Sequence, residues 1–460
     1  MRLFLGIDLG TSYFKVGLFD ERGTLRGLGR VAVKSSCPSP GRAELAVGEF
    51  WRRLQTGLAQ ALAEADAKAG DIAALSYSSQ ANTFLLLDSA NAPLTPLIFW
   101  TDRRAAPLER TLAEFAGTGA FRDAIGFGGI SAEFAPAKWR WFQREEAEVW
   151  RRVSRVMTIS DYLTLALTGE RVGDAGTAAL LGLYHLRERT WWDPALTAFG
   201  VDATRLSLPL SPGSFAGRTT PGGAALLDLP IGIPFAVGGL DHHVAAIGAG
   251  IGRWGDVGIS TGTVLAAVAL VDEIEPRRGS FHGPHVMGDR YYRLRFDSAG
   301  AQQLEDYRRR HLPDSRIEDL LALAEKIPPG ATAAAGTNAN RSLDHASAVR
   351  ALLESMAAAH RKLVHDLSGA DGARRVVVSG GGARSALWLQ IQADMLGLPM
   401  VASAGEAACL GAAMFAAVAA GTYGRVADAS EAMVHPFRVY EPDAETVAIY
   451  RQWRERRAES

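Results

Sequence analysis

The sequence has few cysteines and no excess of charge of either sign. Its 460 residues include two cysteines, Cys37 and Cys409, which lie far apart and belong to no CxxC motif. A disulfide-stabilised scaffold and a zinc site are therefore not supported, and a reducing, cytoplasmic setting fits best. The formal net charge is -1, from 49 Lys and Arg against 50 Asp and Glu. That balance argues against a nucleic-acid-binding surface and against a polybasic membrane anchor.

Long apolar runs are also missing. The first apolar segment ends at the carboxylate of Asp8, which makes it too short for a signal peptide. The longest uncharged stretch, residues 407–424, is rich in Ala and Gly rather than Leu. A buried, tightly packed helix is therefore a better interpretation of this stretch than a membrane span. What the chain does contain, 48% hydrophobic and 22% charged residues, is typical of a folded globular protein.

The order of apolar and glycine-rich segments predicts an α/β protein with two lobes. Residues 3–19 read as strand, glycine turn and strand, and strand-like and helix-like segments alternate afterwards. The length is about three times the ~150 residues expected of one domain. Prolines and glycines concentrate between Leu206 and Pro234, as expected of a surface connection. We therefore expect an N-terminal lobe over residues 1–234 and a C-terminal lobe over residues 235–460.

A short glycine motif occurs once in each half of the chain. Residues 6–11 read G-I-D-L-G-T and residues 258–263 read G-I-S-T-G-T, and an apolar segment follows each. Turns of this kind present backbone N–H groups and a Thr hydroxyl to an anion, and glycine lets the backbone approach a phosphate. Either copy alone could be an ordinary hairpin turn. The occurrence of both, with Asp8 in the first copy alone, favours two loops that bind a polyphosphate.

A third glycine cluster, residues 379–385, lies between a predicted strand and a predicted helix. A strand, a glycine turn and a helix N-terminus together form a site suited to a nucleotide. The cluster matches neither GxxxxGK[ST] nor GxGxxG, so a P-loop and a dinucleotide fingerprint are both disfavoured.

Taken in order, these motifs resemble those of the FGGY family of carbohydrate kinases, within the actin, Hsp70 and hexokinase-like ATPase superfamily. The resemblance covers nearly the whole chain, and it implies two ribonuclease-H-like lobes of the actin-like ATPase type around a central cleft, with ATP and Mg²⁺ as cofactors. The matching segments are residues 6–12 (first phosphate loop), 100–104 (W-x-D-x-R), 161–163 (D-Y-L), 167–170 (L-T-G-E), 238–241 (G-G-L-D), 260–263 (second phosphate loop), 380–385 (adenosine loop) and 410–413 (a helix at the nucleotide pocket).

The resemblance also implies roles for individual residues. Asp241 would be the general base that accepts the proton of the attacking sugar hydroxyl, although a carboxylate before a predicted helix could be only an N-cap. Asp8 would hold Mg²⁺ through water, with Asp241 as the second residue of the metal site. The implied sugar-binding residues are Gln80, Asn82, Trp100, Asp102 and Arg104. The implied ATP-binding residues are Gly10, Thr11, Ser12, Lys15, Thr261, Gly262, Thr263, Gly381, Gly382, Ala383 and Ser385.

Three features depart from the family pattern. Asn82 stands where xylulose kinases have the His of G-Q-M-H-G, which argues against xylulose as the substrate. His242 and His243 follow Asp241 where Asn or Gln is common, and a contact with substrate competes with the interpretation that they are capped or core histidines. Residues 298–350 are short and lack a Pro-rich G-E-R-x-P stretch, so contacts of that region cannot be carried over.

The sequence therefore predicts ATP-dependent phosphorylation of a hydroxyl of a small ketose, such as a pentulose or hexulose, or of a polyol. Trp100, Asp102 and Arg104 favour this function because a Trp face can stack on a sugar while charged groups bind its hydroxyls. The alternative for these three residues is a buried Trp beside a structural Asp–Arg bridge.

Two other functions compete with the kinase. A nucleotide-gated sensor or assembly protein could use the same scaffold, whereas an NAD-dependent oxidoreductase would need a glycine spacing and a ribose-binding acid that the sequence lacks. We expect a small-molecule sugar or polyol substrate, no nucleic-acid or membrane partner, and a homodimer as one compatible assembly.

Overall fold

The chain forms two compact α/β units. The first comprises residues 1–248, 271–293 and 408–434, and the second comprises residues 249–270, 294–407 and 435–460. The computed structural model describes residues 2–253, 255–261, 265–276, 279–286, 289–297, 302–331, 344–368, 372–403 and 405–458. Among these residues, none of the helices is both long and apolar enough to cross a membrane.

Strands and helices alternate along most of the chain, as expected. The strands are β1 (Leu3–Leu9), β2 (Tyr13–Phe19), β3 (Leu25–Ala32), β4 (Glu44–Leu45), β5 (Ile72–Ser79), β6 (Phe84–Leu87), β7 (Leu97–Ile98), β8 (Arg155–Thr158), β9 (Val172–Asp174), β10 (Tyr184–His185), β11 (Thr190–Trp191), β12 (Leu208–Leu210), β13 (Phe215–Arg218), β14 (Pro234–Ala236), β15 (Gly239–Leu240), β16 (Val257–Thr261), β17 (Leu265–Val271), β18 (Ser280–Pro284), β19 (Tyr291–Asp297), β20 (Val376–Gly380), β21 (Met400–Ser403) and β22 (Pro436–Tyr440). The helices are α1 (Val47–Glu64), α2 (Arg110–Ala116), α3 (Gly119–Ile125), α4 (Ala135–Glu145), α5 (Ala147–Arg152), α6 (Ile159–Thr168), α7 (Ala175–Leu180), α8 (Asp193–Phe199), α9 (Pro221–Leu227), α10 (Asp241–Gly248), α11 (Gln302–His311), α12 (Ile317–Glu325), α13 (His345–Ser368), α14 (Ala386–Leu396), α15 (Ala407–Ala419), α16 (Val426–Met433) and α17 (Ala444–Ala458).

The main sheet of the first unit has the strand order β13-β14-β5-β1-β2-β3, with β15 also pairing with β5. All seven residues of β1 are buried, because this strand lies inside the sheet and both of its faces are covered. It forms the predicted hairpin with β2 and runs parallel to β5. Helix α1 packs on β2 and β3 through a stripe of apolar side chains at helical spacing, which includes Phe50, Leu54, Leu58 and Ala61.

The second unit repeats this arrangement. Strand β16 pairs antiparallel with β17 and parallel with β20, just as β1 pairs with β2 and β5. Strand β21 runs parallel to β20, and β22 runs antiparallel to β21. The described part of the second copy, residues 258–261, therefore lies at the end of β16, in a sheet similar to the one in which β1 carries the first copy.

The segment 206–234, which was predicted as a surface connection, is not irregular throughout. It contains β12, β13 and α9, and β12 pairs with β9. The chain then continues in the first unit, because Phe235 of β14 lies beside Leu75 of β5 in the main sheet. The first segment of this compact unit thus runs through to Gly248. A division of functional lobes at residues 234 and 235 stays a prediction.

Candidate active site

Three parallel strands of the first unit, β15, β5 and β1, end at the same edge of the main sheet. In the register of this sheet, Ser78 of β5 lies between Asp8 of β1 and Gly239 of β15. Since neighbouring strands lie ~4.8 Å apart, the Cα atoms of Asp8 and Gly239 are about 10 Å apart. Asp241 follows two residues after Gly239. The fold therefore brings the two predicted carboxylates to one edge of one sheet.

Asp8 is held firmly by its neighbours. The hydroxyl of Ser78 donates to Oδ1 of Asp8 over 3.1 Å, and Nζ of Lys15 lies 3.7 Å from Oδ2. Asp8 is 7% exposed. Lys15 lies opposite Asp8 in the β1–β2 hairpin, so the hairpin register creates this ion pair. Ser78 was missed by the sequence analysis, although its position one strand away from Asp8 follows from the parallel pairing.

Asp241 opens helix α10 directly after β15, and its side chain is 27% exposed. Its Oδ1 accepts a hydrogen bond of 2.7 Å from the backbone N–H of His242. An N-cap side chain normally accepts from the second or third N–H of its helix, whereas Asp241 accepts from its immediate neighbour. The carboxylate is therefore not in the usual capping geometry, and part of it faces solvent.

The glycines before Asp241 lie in closely packed places, and Gly238 is required there. A Cβ on Gly238 would overlap the carbonyl oxygen of Tyr77, and a Cβ on Gly239 would lie 3.0 Å from Cγ2 of Val244. The first contact lets β15 approach β5, and the second lets α10 fold back on β15. The G-G-L-D motif thus fixes the place of Asp241 through backbone approach.

The histidines after Asp241 have different surroundings. The Nε2 atom of His242 lies 3.8 Å from Oδ1 of Asp241, and its side chain is partly exposed. His243 is fully buried, and its Nε2 lies 2.7 Å from Nδ1 of His285. Burial, together with His285, lowers the pKa of His243 well below its usual value. His243 is thus a core residue.

The loop Gly10–Ser12 joins β1 to β2 and is tied down by Gln80. The side-chain amide of Gln80 donates to the carbonyl oxygens of Leu9 and Gly10, each over 3.2 Å. Its Oε1 accepts from Thr83 over 2.8 Å and from Thr11 over 3.4 Å. Gln80 is 3% exposed. Gln80, a predicted sugar-binding residue, therefore uses most of its side-chain donors and acceptors to hold the loop in position.

Trp100 lies beside this loop. Its indole N–H donates to the hydroxyl of Thr11 over 2.8 Å, and its backbone N–H donates to the hydroxyl of Thr83 over 3.1 Å. Trp100 is 38% exposed. It is therefore not a core residue.

Asp102 and Arg104 form a buried ion pair. Asp102 is fully buried and accepts hydrogen bonds from the backbone N–H of Ala43 and from Nε and Nη2 of Arg104, each over 2.8 Å. Arg104 also bonds Glu44 over 2.6 Å. Burial raises the pKa of Asp102, but hydrogen bonds from Arg104 and Ala43 outweigh it and hold that pKa below its usual value. This geometry favours the structural Asp–Arg bridge. That Asp102 and Arg104 contact the sugar directly stays a prediction, which this geometry does not support.

Asn82 connects three parts of the first unit. Its backbone φ of 61° lies in the left-handed region, which Asn adopts more readily than most residues. Its Oδ1 accepts from the N–H of Ala135 over 2.9 Å, and its Nδ2 donates to the carbonyl oxygen of Leu180 over 3.2 Å. The side chain thus holds the start of helix α4 and the end of helix α7 beside the loop of residues 79–83.

Lys138 is a further residue of this region that the sequence analysis missed. It lies on helix α4, is fully buried, and donates from Nζ to the carbonyl oxygens of Phe99 and Trp100 over 2.8 and 3.1 Å. Burial lowers its pKa to about 7. The sequence contains a signal for this burial: Lys138 lies on the same helical face as Ala135 and Phe142, and that face is otherwise apolar.

The third glycine cluster borders a cavity in the second unit. Gly380 ends β20 with a φ of 86°, Gly381, Gly382, Ala383 and Arg384 form a single turn, and Ser385 caps α14 by accepting from the N–H of Trp388 over 3.2 Å. The cavity has a volume of about 600 Å³, within the range of small-ligand sites. Its lining residues are Leu265, Leu304, Ile317, Glu318, Leu321, Ala322, Glu325, Leu353, Met356, His360, Gly381, Gly382, Arg384, Ser385, Ala386, Leu387 and Trp388.

The remaining predicted ATP-binding residues belong to the second copy of the glycine motif. Thr261 ends β16 and lies beside Gly380 of β20 in the sheet. Gly262 and Thr263 lie outside the residues that the structure describes. The short segment after residue 298, for which the family gave no guide, forms α11 and α12, and both helices contribute to the wall of the cavity.

Comparisons with known proteins match the chain over nearly all of its length. A model of the N-terminal domain of the FGGY family of carbohydrate kinases matches residues 3–248, and a model of the C-terminal domain of that family matches residues 323–420. The xylulose kinase of Bacillus subtilis is 26% identical over 98% of this chain and 95% of that protein. The autoinducer-2 kinase of Salmonella typhimurium is 27% identical over 98% of this chain and 92% of that protein. The crystal structure of xylulose kinase from Rhodospirillum rubrum matches 100% of this chain and 98% of its own, with a TM-score of 0.87 and 26% identity.

Proposed function

Because the chain belongs to the FGGY family of carbohydrate kinases, we propose that it transfers the γ-phosphoryl group of ATP to a hydroxyl of a small ketose or polyol, with Asp241 as the general base. Membership establishes a phosphotransferase with ATP as co-substrate and a small-molecule sugar as acceptor. The acceptor within that class and the roles of individual residues are our proposal.

The observation that carries the proposal is the placement of Asp8 and Asp241 at one edge of one sheet. Asp241 is partly exposed and stands outside the usual capping geometry. It follows two residues after Gly239, whose Cα lies about two strand spacings, ~10 Å, from that of Asp8. In phosphoryl transfer, positioning and neutralisation of charge matter more than covalent help from the protein. A carboxylate at the acceptor hydroxyl and another at the phosphates match this need. We infer that Asp241 takes the proton of the attacking hydroxyl.

The two carboxylates also fit a magnesium ion. Mg²⁺ prefers hard oxygen ligands, and it usually binds one or two carboxylates and keeps several waters. Asp8 offers such an oxygen while Ser78 and Lys15 fix its orientation. When bound, Mg²⁺ would neutralise phosphate charge. Asp8 would hold it through water, and Asp241 would complete the site.

For the nucleotide, we propose two contacts that the chain provides. Gly10, Thr11 and Ser12 would bind phosphate oxygens, with Lys15 adding positive charge nearby. The cavity beside Gly381, Gly382, Ala383 and Ser385 would hold the nucleoside, because its volume of about 600 Å³ and its largely apolar wall suit a planar base. The resemblance adds Thr261, Gly262 and Thr263 as further phosphate-binding residues.

For the sugar, we propose that Trp100 supplies the stacking surface. Trp100 is 38% exposed and lies beside the phosphate loop, and an aromatic face packs well on the C–H surface of a sugar. Asn82 and Gln80 would shape the pocket while they hold its loops, and Asp102 and Arg104 would support the segment that carries Trp100. Relatives of similar identity are named for xylulose and for autoinducer-2, so we extend the proposal to the class of ketoses and polyols and not to one compound.

A direct test is ADP release by the purified protein with MgATP and a panel of pentuloses, hexuloses, tetritols, pentitols and glycerol. We expect at least one compound to stimulate ADP release, with formation of its phosphate ester and loss of the signal on addition of EDTA. If no ketose or polyol stimulates ADP release by a folded protein that binds ATP, the proposed acceptor class is wrong.

A further inference from the structure

Four side chains of the first unit form a closed ring of hydrogen bonds. The indole N–H of Trp100 donates to Thr11, the hydroxyl of Thr11 donates to Oε1 of Gln80, the hydroxyl of Thr83 donates to the same Oε1, and Thr83 accepts from the backbone N–H of Trp100. The ring therefore joins the exposed Trp ring to the loop Gly10–Ser12.

The bonds of this ring differ in length. The indole bond to Thr11 and the bond from Thr83 to Gln80 are both 2.8 Å long, whereas the bond from Thr11 to Gln80 is 3.4 Å long. A Thr hydroxyl has one proton to donate and two lone pairs that can accept. Trp100 thus occupies one lone pair of Thr11, while the proton of that hydroxyl is in the weakest bond of the ring. Rotation of the proton away from Gln80 costs little, because Oε1 keeps its bond from Thr83.

The backbone position of the loop does not depend on the hydrogen bond from the indole of Trp100 to Thr11. Gln80 holds the carbonyl oxygens of Leu9 and Gly10 through its amide nitrogen. Loss of the indole N–H would therefore leave the loop in place and release only the orientation of the Thr11 hydroxyl.

We propose that Trp100 is a positioning residue for the phosphate loop, in which its indole N–H orients the Thr11 hydroxyl so that the hydroxyl proton is offered to a phosphate oxygen of the nucleotide. The inference rests on the proposed function, which places phosphate at Gly10–Ser12. It extends that function, because Trp100 then serves both substrates, with its face toward the sugar and its nitrogen toward the nucleotide.

The test is the affinity of the sugar-free protein for the ATP analogue AMP-PNP with Mg²⁺, measured by titration calorimetry. Trp100→Phe keeps an aromatic ring and loses the N–H, Thr11→Val keeps the shape and loses the hydroxyl, and Thr11→Ser keeps the hydroxyl. We expect Trp100→Phe and Thr11→Val each to weaken binding by about two- to tenfold, the usual effect of one hydrogen bond, and Thr11→Ser to bind like the wild type. Trp150→Phe, at a partly buried Trp outside the ring, is the matched control and should also bind like the wild type.

The double variant Trp100→Phe/Thr11→Val separates a shared path from two independent effects. If Trp100 acts through Thr11, the double variant should bind no more weakly than Thr11→Val alone. Wild-type affinity in Trp100→Phe, or additive losses in the double variant, would overturn the inference.

These outcomes are distinct from a failure of the proposed function. Wild-type affinity in Thr11→Val would mean that Thr11 does not bind phosphate, and both proposals for the loop would fall. A different result would remove the inference and leave the proposed function intact. In that case Thr11→Val binds AMP-PNP more weakly while Trp100→Phe binds it like the wild type, and sugar-stimulated ADP release is lost only in Trp100→Ala.

Discussion

Lys138 places an amine in the interior of the first unit, next to the segment that leads to Trp100. Its Nζ donates to the carbonyl oxygens of Phe99 and Trp100. The charged groups that act on it are Asp102, Arg104 and Glu133, and burial outweighs them and lowers its pKa to about 7. A lysine is almost never fully buried unless its amine is paired. Burial of this amine therefore costs folding free energy, which the two hydrogen bonds offset.

This lysine should give the unfolding free energy a pH dependence that Lys138→Met removes. The folded side chain titrates near pH 7 and an unfolded lysine near 10.5, so between these values the unfolded chain binds the extra proton. The group therefore makes the free energy of unfolding rise with pH across this window, by up to about 1.4 kcal/mol per pH unit, and its contribution is lost as the pH falls toward 7.

Urea denaturation of the wild type and of Lys138→Met at both ends of this window measures the effect. The exposed Lys34, changed to Met, is the control and should keep the wild-type profile. Parallel profiles for the wild type and Lys138→Met would show that Lys138 is not a buried, uncharged amine.

Some single residues could be read from the sequence and others could not. The positions of Asp8 and Asp241 follow from glycine turns that end buried strands, which local sequence reveals. The burial of Asp102 and Arg104 could not be derived, because it depends on Ala43 and Glu44, which are distant in the chain. A charged residue beside an exposed Trp looks the same in sequence whether it faces a ligand or the interior.

The helix α15 shows how small residues position the site. A Cβ on Gly411 would overlap the carbonyl oxygen of Val244 in α10, and a Cβ on Gly6 of β1 would overlap that of Cys409 in α15. The predicted tightly packed Ala- and Gly-rich helix is therefore confirmed, and it contacts the helix that begins with Asp241. Bulk at this contact would displace α10 from the sheet.

We expect Gly411→Ala to destabilise the protein by about 1–3 kcal/mol, the usual cost of overpacking a core, because the added methyl meets backbone and not a flexible side chain. Gly222→Ala is the matched control, since a Cβ at that position of α9 meets open space and alanine favours a helix. Thermal unfolding of both variants tests this: a melting temperature of Gly411→Ala as high as that of Gly222→Ala would contradict the account of the α10–α15 contact.

Secondary structure was predictable where it is local. The β1–β2 hairpin and the repeat at β16 follow from apolar runs around glycine turns. The strands β12 and β13 were missed because Pro and Gly favour loops, while these short strands exist through pairing with β9 and β14, which lie elsewhere in the chain. The pairing of β14 with β5 likewise places residues after Pro234 in the first unit.

The molecule as a whole has the predicted α/β fold of the actin-like ATPases with two lobes. The likeness to solved kinases over the whole chain confirms it. The same comparisons establish a carbohydrate kinase and so decide against a sensor without enzymatic activity. The order of several motifs along the chain made this prediction possible, whereas the acceptor depends on side chains such as Asn82 whose roles are set by tertiary contacts.

The proposed base, Asp241, is tested most directly by the turnover of Asp241→Asn with MgATP and the best acceptor of the panel. Asn is nearly isosteric with Asp and keeps an oxygen that can accept from His242, but it cannot take a proton. We expect kcat to fall by roughly 10²–10⁴-fold, the usual contribution of a positioned acid–base group, while the melting temperature and the affinity for AMP-PNP stay close to those of the wild type. A well-folded Asp241→Asn enzyme that phosphorylates the acceptor at a near-normal rate would contradict the assignment of Asp241 as the base.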